Sequence, residues 1–210
     1  PVVLGATSNE VIMTIEKVAY NKGSKLTRAN IHKAYQSALL GDCQNENIAT
    51  VCEAIEQLRL LAWDISAQSI ELGLQNVILN TNLRGRWELL YENPPVICDT
   101  GHNIHAVTSI VNQLKNESFN DLWIVLGMVA DKDVNGILAL LPKQAKYVFC
   151  QANIPRALSA DVLLEKAAHY SLQGIKVSNP KAALSKAQEL ANENDLIFVG
   201  GSTFVVAEIL

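Results

Sequence analysis

Four polar side chains sit close together in a short stretch of this chain: Arg86, Asp99, His102 and Asn103. A carboxylate at a strand end accepts two hydrogen bonds, as from the two hydroxyls of a ribose. Arginine offers a planar, permanently charged fork suited to phosphate oxygens. His102 and Asn103 add an imidazole and an amide. Each has a plainer reading: Asp99 as an N-cap or Asx-turn residue, His102 and Asn103 as hydrated loop polars, Arg86 as a surface charge in a glycine-rich turn.

Their setting favours a ligand edge. Val96-Ile97-Cys98 reads as a short buried strand, Asp99 to Asn103 as the loop at its carboxyl end, and Ile104 to Leu114 as a helix. In open α/β sheets ligands bind at the carboxyl ends of the strands. The same reading applies to Asp131-Lys132-Asp133, after the apolar run Leu122 to Leu126, and to Gly200-Gly201-Ser202, after Asp195 to Val199. No G-x-G-x-x-G or G-x-x-x-x-G-K-[ST] pattern is present.

From about Arg86 onward strands and helices alternate. Strands are expected at Trp87–Tyr91, 96–98, 122–126, Lys146–Cys150, Ile175–Val177 and 195–199. Helices are expected at 104–114, Val134–Leu141, from a Ser159 cap to His169, from Pro180 to Ala191, and at the C-terminus. Strands that are apolar throughout and separated by helices predict a mostly parallel, Rossmann-like α/β sheet with helices on both faces. The first part differs: a strand at Val2–Leu4, then helices at Asn9–Asn21, Ile48–Leu61 and Ser66–Leu74, with Lys22–Leu40 unassigned.

Composition bounds the rest. The chain has 210 residues, 49% hydrophobic and 18% charged, with a net charge of -4. A core is therefore expected, and there is no basic excess to indicate a nucleic-acid partner. No apolar run approaches a membrane span, and the start is not a signal peptide, so a cytoplasmic protein that begins mid-sequence is expected. Cys43, Cys52, Cys98 and Cys150 form no C-x-x-C pair, and the histidines show no ligand spacing, so buried reduced thiols are expected rather than a disulfide or zinc site.

Taken in order, Gly85-Arg86-Trp87-Glu88, Asp99-Thr100-Gly101-His102-Asn103, Gly127 with Asp131-Lys132-Asp133, Pro155-Arg156-Ala157-Leu158 and Gly201-Ser202-Thr203-Phe204 resemble the C-terminal domain of folylpolyglutamate synthase/dihydrofolate synthase, in the Mur ligase superfamily. Gly41-Asp42-Cys43-Gln44-Asn45-Glu46-Asn47 resembles the segment closing that family's central domain, with Cys43 where His is common. Thr100 and Ile104 also depart from the usual D-G-A-H-N-P, without removing a functional group. The resemblance implies residues 1–82 as the end of a central ATP-binding domain and 83–210 as the C-terminal domain.

It also implies a reaction. ATP phosphorylates a carboxylate, and an amine attacks the acyl phosphate to give an amide, ADP and phosphate. Folate or dihydropteroate and L-glutamate would be the substrates, with Mg2+ as cofactor and a monomer as the working state. By the same resemblance Asn47 recognises adenine, Arg86 the ATP phosphates and Asp99 the ribose. His102 and Ser202 lie near glutamate, and Asn103, Lys132 and Asp133 line the cleft. The family's phosphate loop and magnesium ligands fall upstream of Pro1, so the isolated chain is expected to be inactive. A cell-wall Mur ligase and a non-catalytic nucleotide-binding domain are the competing readings.

Overall fold

The computed structural model describes residues 1–30 and 35–210, which form two compact units, Pro1–Leu83 and Arg84–Leu210. Residues 31–34, within the segment left unassigned from sequence, lie outside the described residues.

The first unit pairs β1 (Val2–Leu4) in parallel with β2 (Leu26–Arg28) and joins them through α1 (Asn9–Asn21). It continues with α2 (Gln44–Leu60), α3 (Ala67–Gln75) and α4 (Val77–Thr81). Helix α2 begins a full turn before Ile48, because its first turn, Gln44-Asn45-Glu46-Asn47, is polar and carries no apolar period. The short elements β2 and α4 were not expected.

The second unit is a six-stranded sheet. Its strands are β3 (Glu88–Glu92), β4 (Pro95–Cys98), β5 (Leu122–Leu126), β6 (Lys146–Phe149), β7 (Gly174–Lys176) and β8 (Leu196–Gly200), in the order β3-β4-β8-β5-β6-β7. Only the edge strand β3 is antiparallel. Five helices complete it: α5 (Ile104–Leu114), α6 (Val134–Leu140), α7 (Ala160–Ala168), α8 (Pro180–Leu190) and α9 (Thr203–Ile209).

Side-chain alternation divides the interior into two cores, one on each face of the sheet. Ile97, Ile124, Leu126, Tyr147, Phe149 and Phe198 join α5, α6 and α7 on one face. Val96, Cys98, Val125, Val148, Ile197 and Val199 join α8 and α9 on the other. Strand β8 is inserted between β4 and β5. The chain leaves β4 and β5 toward the first face and leaves β8 toward the second. The crevices flanking β8 at its carboxyl end are therefore the switch points of the topology, where such sheets bind ligands.

Cys98 and Cys150 are buried, and burial pushes both thiols up to about 12. Cys43 is exposed and Cys52 partly so, which corrects the expectation that all four are core thiols. Both stand on the polar-edged helix α2 or its cap, where the sequence offers no strand to bury them.

Candidate functional site

The residues around β4 are held by a short network of backbone bonds to one carboxylate. Asp99 Oδ2 accepts from the Trp87 N–H at 2.9 Å, and Oδ1 accepts from the Gly101 N–H at 2.7 Å. The Thr100 N–H donates to the Gly85 carbonyl at 3.0 Å. Asp99 thus makes an Asx-type turn and also ties the Gly85–Trp87 turn to the loop after β4. It does not cap α5: Asn103 does, its Oδ1 accepting from the Ala106 N–H at 2.9 Å.

The turn needs its residues. Gly85 has φ +71°, and a Cβ there would meet Thr100 Cγ2 at 2.8 Å. Trp87, expected to start the strand, instead has φ +46° and precedes it. Its ring is buried at 6% exposure, tilted against Phe198 at 6.1 Å. Anchored indole and satisfied N–H together hold a backbone conformation that a bulky residue seldom adopts.

Burial pushes the Asp99 pKa above its ordinary value, against the lowering pull of the Gly101 and Trp87 N–H groups and of the Arg86 charge. Arg86 itself is exposed, with only a long 3.5 Å contact from Nη1 to the Gly85 carbonyl, so its fork is available to an anion. His102 is half-buried, with Nδ1 3.0 Å from the Thr100 carbonyl. A carbonyl only accepts, so Nδ1 carries a proton at this contact, and Nε2 is the ring nitrogen left to face a ligand.

Ser202 lies at the end of the adjacent β8. It is 3% exposed, and its Oγ accepts from the Phe204 N–H at 3.2 Å, which leaves the hydroxyl proton to donate elsewhere. Gly201, at φ +89°, lets this loop pass against β5: a Cβ would meet Leu126 Cδ1 at 2.6 Å and the Gly127 carbonyl at 2.8 Å. After β5, Lys132 is exposed, and Asp133 caps α6 through the Gly136 N–H at 2.9 Å.

The structure therefore gathers Arg86, Asp99, His102 and Ser202 at the ends of two neighbouring strands, with Lys132 and Asp133 at the next. Asn47 belongs to the first unit, exposed on the first turn of α2, its amide donating to Gln44 Oε1 at 3.1 Å. A groove of about 960 Å3 opens on the α8–α9 side, lined by Asn153, Asn179, Phe204 and Glu208 among others, and none of the residues expected to bind ligand borders it. Asn179 and Glu208 are already engaged there with the backbone N–H groups of Ala182 and Asn153. Within the second unit, the residues expected to bind ligand lie at the switch-point crevices, outside that groove.

Residues 85–203 match the family described as Mur ligase, glutamate ligase domain. The chain belongs to the Mur ligase family. Over 216 residues it is 29% identical to the dihydrofolate synthase/folylpolyglutamate synthase of Escherichia coli, covering 96% of this chain and 49% of that protein. It therefore spans about half the length of that relative. The structure of E. coli FolC in complex with DHPP and ADP superposes with a TM-score of 0.76 at 27% identity, over 94% of this chain and 49% of that one. A bifunctional folylpolyglutamate synthase/dihydrofolate synthase with Mn, AMPPNP and L-glutamate bound gives 0.76 at 25% identity, over 94% and 50%. The mostly parallel sheet covered on both faces is the Mur ligase C-terminal fold.

Among the described residues of this Mur ligase chain, no three His, Cys, Asp or Glu side chains converge to hold a metal ion, and none is assigned a metal here. No helix of the described residues is long and apolar enough to cross a membrane.

Proposed function

We propose that this chain is part of an ATP-dependent ligase that joins L-glutamate to folate, dihydropteroate or both. The observation that carries this is the Asp99 clamp, which fixes Arg86 and His102 at one switch-point crevice beside Ser202. The relatives are named as such ligases, and both matching structures described above hold a nucleotide, one with L-glutamate.

In this reading ATP phosphorylates the pterin substrate's carboxylate, and glutamate's amine then attacks the acyl phosphate. Arg86 faces the phosphates with its unspent fork. Asp99, with both oxygens already oriented by backbone donors, keeps lone pairs for the ribose hydroxyls. The Ser202 proton and His102 Nε2 position glutamate. Asn103, Lys132 and Asp133 border the cleft, and Asn47 recognises adenine. Binding and orientation are what these side chains supply; they hold reactants in place rather than form bonds to them. Phosphoryl transfer calls for charge neutralisation by a divalent cation, and no step is assigned to one through this chain's residues.

The protein works in the cytoplasm as a monomer in this proposal, and the 210-residue chain alone does not turn over. ADP release is measured with dihydropteroate or a reduced folate, ATP and glutamate. Glutamate-dependent release by a full-length protein carrying this sequence, and none by the isolated chain, is the expected pattern. Turnover by the isolated chain overturns the part-of-a-site reading. Turnover only with nucleotide-linked muramyl peptides moves the protein to the cell-wall branch.

A further inference from the structure

Glu88 closes the motif Gly85-Arg86-Trp87-Glu88 and has no role in the reading above. It is the first residue of β3 and lies opposite Cys98 in the antiparallel register, so Glu88 and Asp99 leave neighbouring strands one position apart. Both carboxylates reach back to the turn that carries Arg86. Glu88 Oε2 accepts from the Gly85 N–H at 2.7 Å, and Asp99 Oδ2 from the Trp87 N–H at 2.9 Å. The Thr100 N–H holds the Gly85 carbonyl at 3.0 Å. Arg86 therefore stands between two residues of positive φ, Gly85 at +71° and Trp87 at +46°, each with its N–H gripped by a carboxylate.

Gly85 is the weak point of this turn. It is buried, so its N–H needs a partner. It has no side chain that packing could lock, and no residue has a more permissive backbone than glycine. Glu88 at its N–H and Thr100 at its carbonyl fix it from outside. A swing at Gly85 carries Arg86 with it, and the guanidinium, at the end of a long side chain, moves further than the backbone does. The second Glu88 oxygen, Oε1, pairs with Arg84 Nε. The Arg84 side chain is 46% exposed against 22% for Glu88, so water screens that pair and it contributes little. The bond to Gly85, rather than the charge on Glu88, is the contact that reaches Arg86.

We infer that Glu88 is a positioning residue for Arg86, holding the Gly85 peptide so that the guanidinium is aimed at the ATP phosphates before nucleotide binds. This rests on the ligase reading, in which Arg86 takes the phosphates, and adds the residue that orients it. Glu88 itself touches no substrate. Side-chain length is what the turn requires. Aspartate keeps the charge but is one methylene shorter and falls short of the Gly85 N–H. Glutamine loses the charge but offers an oxygen at the same reach.

The test uses a full-length protein carrying this sequence, with Glu88→Asp, Glu88→Gln, Arg86→Gln and the double change Glu88→Asp with Arg86→Gln. ADP release is followed against ATP and against L-glutamate, with melting temperature measured alongside. Glu88→Asp raises the ATP KM about tenfold and leaves the glutamate KM within about twofold, since a misdirected Arg86 weakens nucleotide binding alone. Glu88→Gln keeps the ATP KM within about threefold of wild type, because the Gly85 bond survives. In the Arg86→Gln background Glu88→Asp brings no further rise in the ATP KM, because the residue it acts through is gone. Glu88→Met, of similar length but with no oxygen acceptor, takes the place of Glu88→Asp if that variant does not fold, with the same expected split. An ATP KM unchanged by Glu88→Asp overturns the inference. So does a full further rise in the Arg86→Gln background, and so does a joint rise of both KM values with a lowered melting temperature, the pattern of a merely structural residue. A Glu88→Gln variant as impaired as Glu88→Asp overturns it too, by assigning the effect to charge. A wild-type protein without glutamate-dependent release overturns the ligase reading and this inference together, whereas normal wild-type release with indifferent variants removes the Glu88 assignment only.

Discussion

Asp99 spends both carboxylate oxygens on backbone donors before any ligand arrives, and that is what separates it from an ordinary loop acid. Asparagine at this position offers one oxygen, so either Trp87 or Gly101 is left with its N–H facing an NH2 group. Asp99→Asn is expected to cost about 1–3 kcal/mol, read as a lower urea midpoint, and to raise the ATP KM of a full-length protein carrying the change. An unchanged midpoint would remove the clamp. The sequence pointed to this carboxylate and left cap, turn and ligand open; the turn is present, and the cap is Asn103. What sequence could not supply was the bond to Trp87, twelve residues upstream, because it depends on which loop lies alongside. Asp195 is a second structural acid, at the opposite end of β8 and 1% exposed. Burial pushes its pKa up, but bonds from the Asn192 N–H, the Trp123 indole and the Asp121 N–H, with the Lys146 charge, outweigh burial and bring it below the ordinary value. A carboxyl whose folded pKa is depressed contributes stability above its unfolded value, near about 4, and loses it as pH falls through the folded pKa. Asp195→Asn is therefore expected to be less stable than wild type at pH 7 by about 1–3 kcal/mol. The gap should narrow as pH falls below about 4, measured by urea denaturation at a series of pH values.

Elements were legible where their burial is uniform or periodic. Helix α5 and strand β5 fall where the apolar spacing put them, and Ser159 and Asn179, the latter just before Pro180, cap α7 and α8 as their residue types suggest. Legibility failed where an element is short or where a tertiary bond overrides propensity. Three-residue β2 has no period to read. Trp87, a strand former by type, is bent into a turn by its N–H bond to Asp99 and its buried ring. The β8–α9 junction shows the same dependence on neighbours. Gly201 takes φ +89° so that the loop can pass Leu126 and the Gly127 carbonyl, and only then does Ser202 reach the crevice. Gly201→Ala combines a strained φ with an overlap against rigid backbone, an expected loss of about 2–3 kcal/mol. If Ser202 positions glutamate, the glutamate KM rises more than the ATP KM. Equal rises in both would assign Gly201 to stability alone.

At the scale of the whole chain the two units differ in how they are held together. Among the described residues, nearly all of the buried apolar side chains belong to Arg84–Leu210, where two cores clamp one sheet. Among the described residues of Pro1–Leu83 the buried apolar set is Ala19, Ile48 and Ile70, whereas Met13, Tyr20, Leu60, Trp63 and Leu79 are exposed. Two short parallel strands and this little buried surface do not amount to an independently stable domain, since a two-stranded sheet is marginal in water and large exposed apolar patches mark surfaces that meet other protein. Residues 84–210 alone are therefore expected to unfold in one cooperative urea transition, followed in parallel by tryptophan fluorescence and far-ultraviolet circular dichroism. Residues 1–83 alone are expected to show no cooperative transition and to bind a hydrophobic dye. In the 210-residue chain, proteases should cut the first unit while sparing the second, because local opening follows the scarcity of buried contacts. A sharp, coincident transition for residues 1–83 would mean that their exposed apolar surface is tolerated, and that this unit needs no further polypeptide to complete its fold.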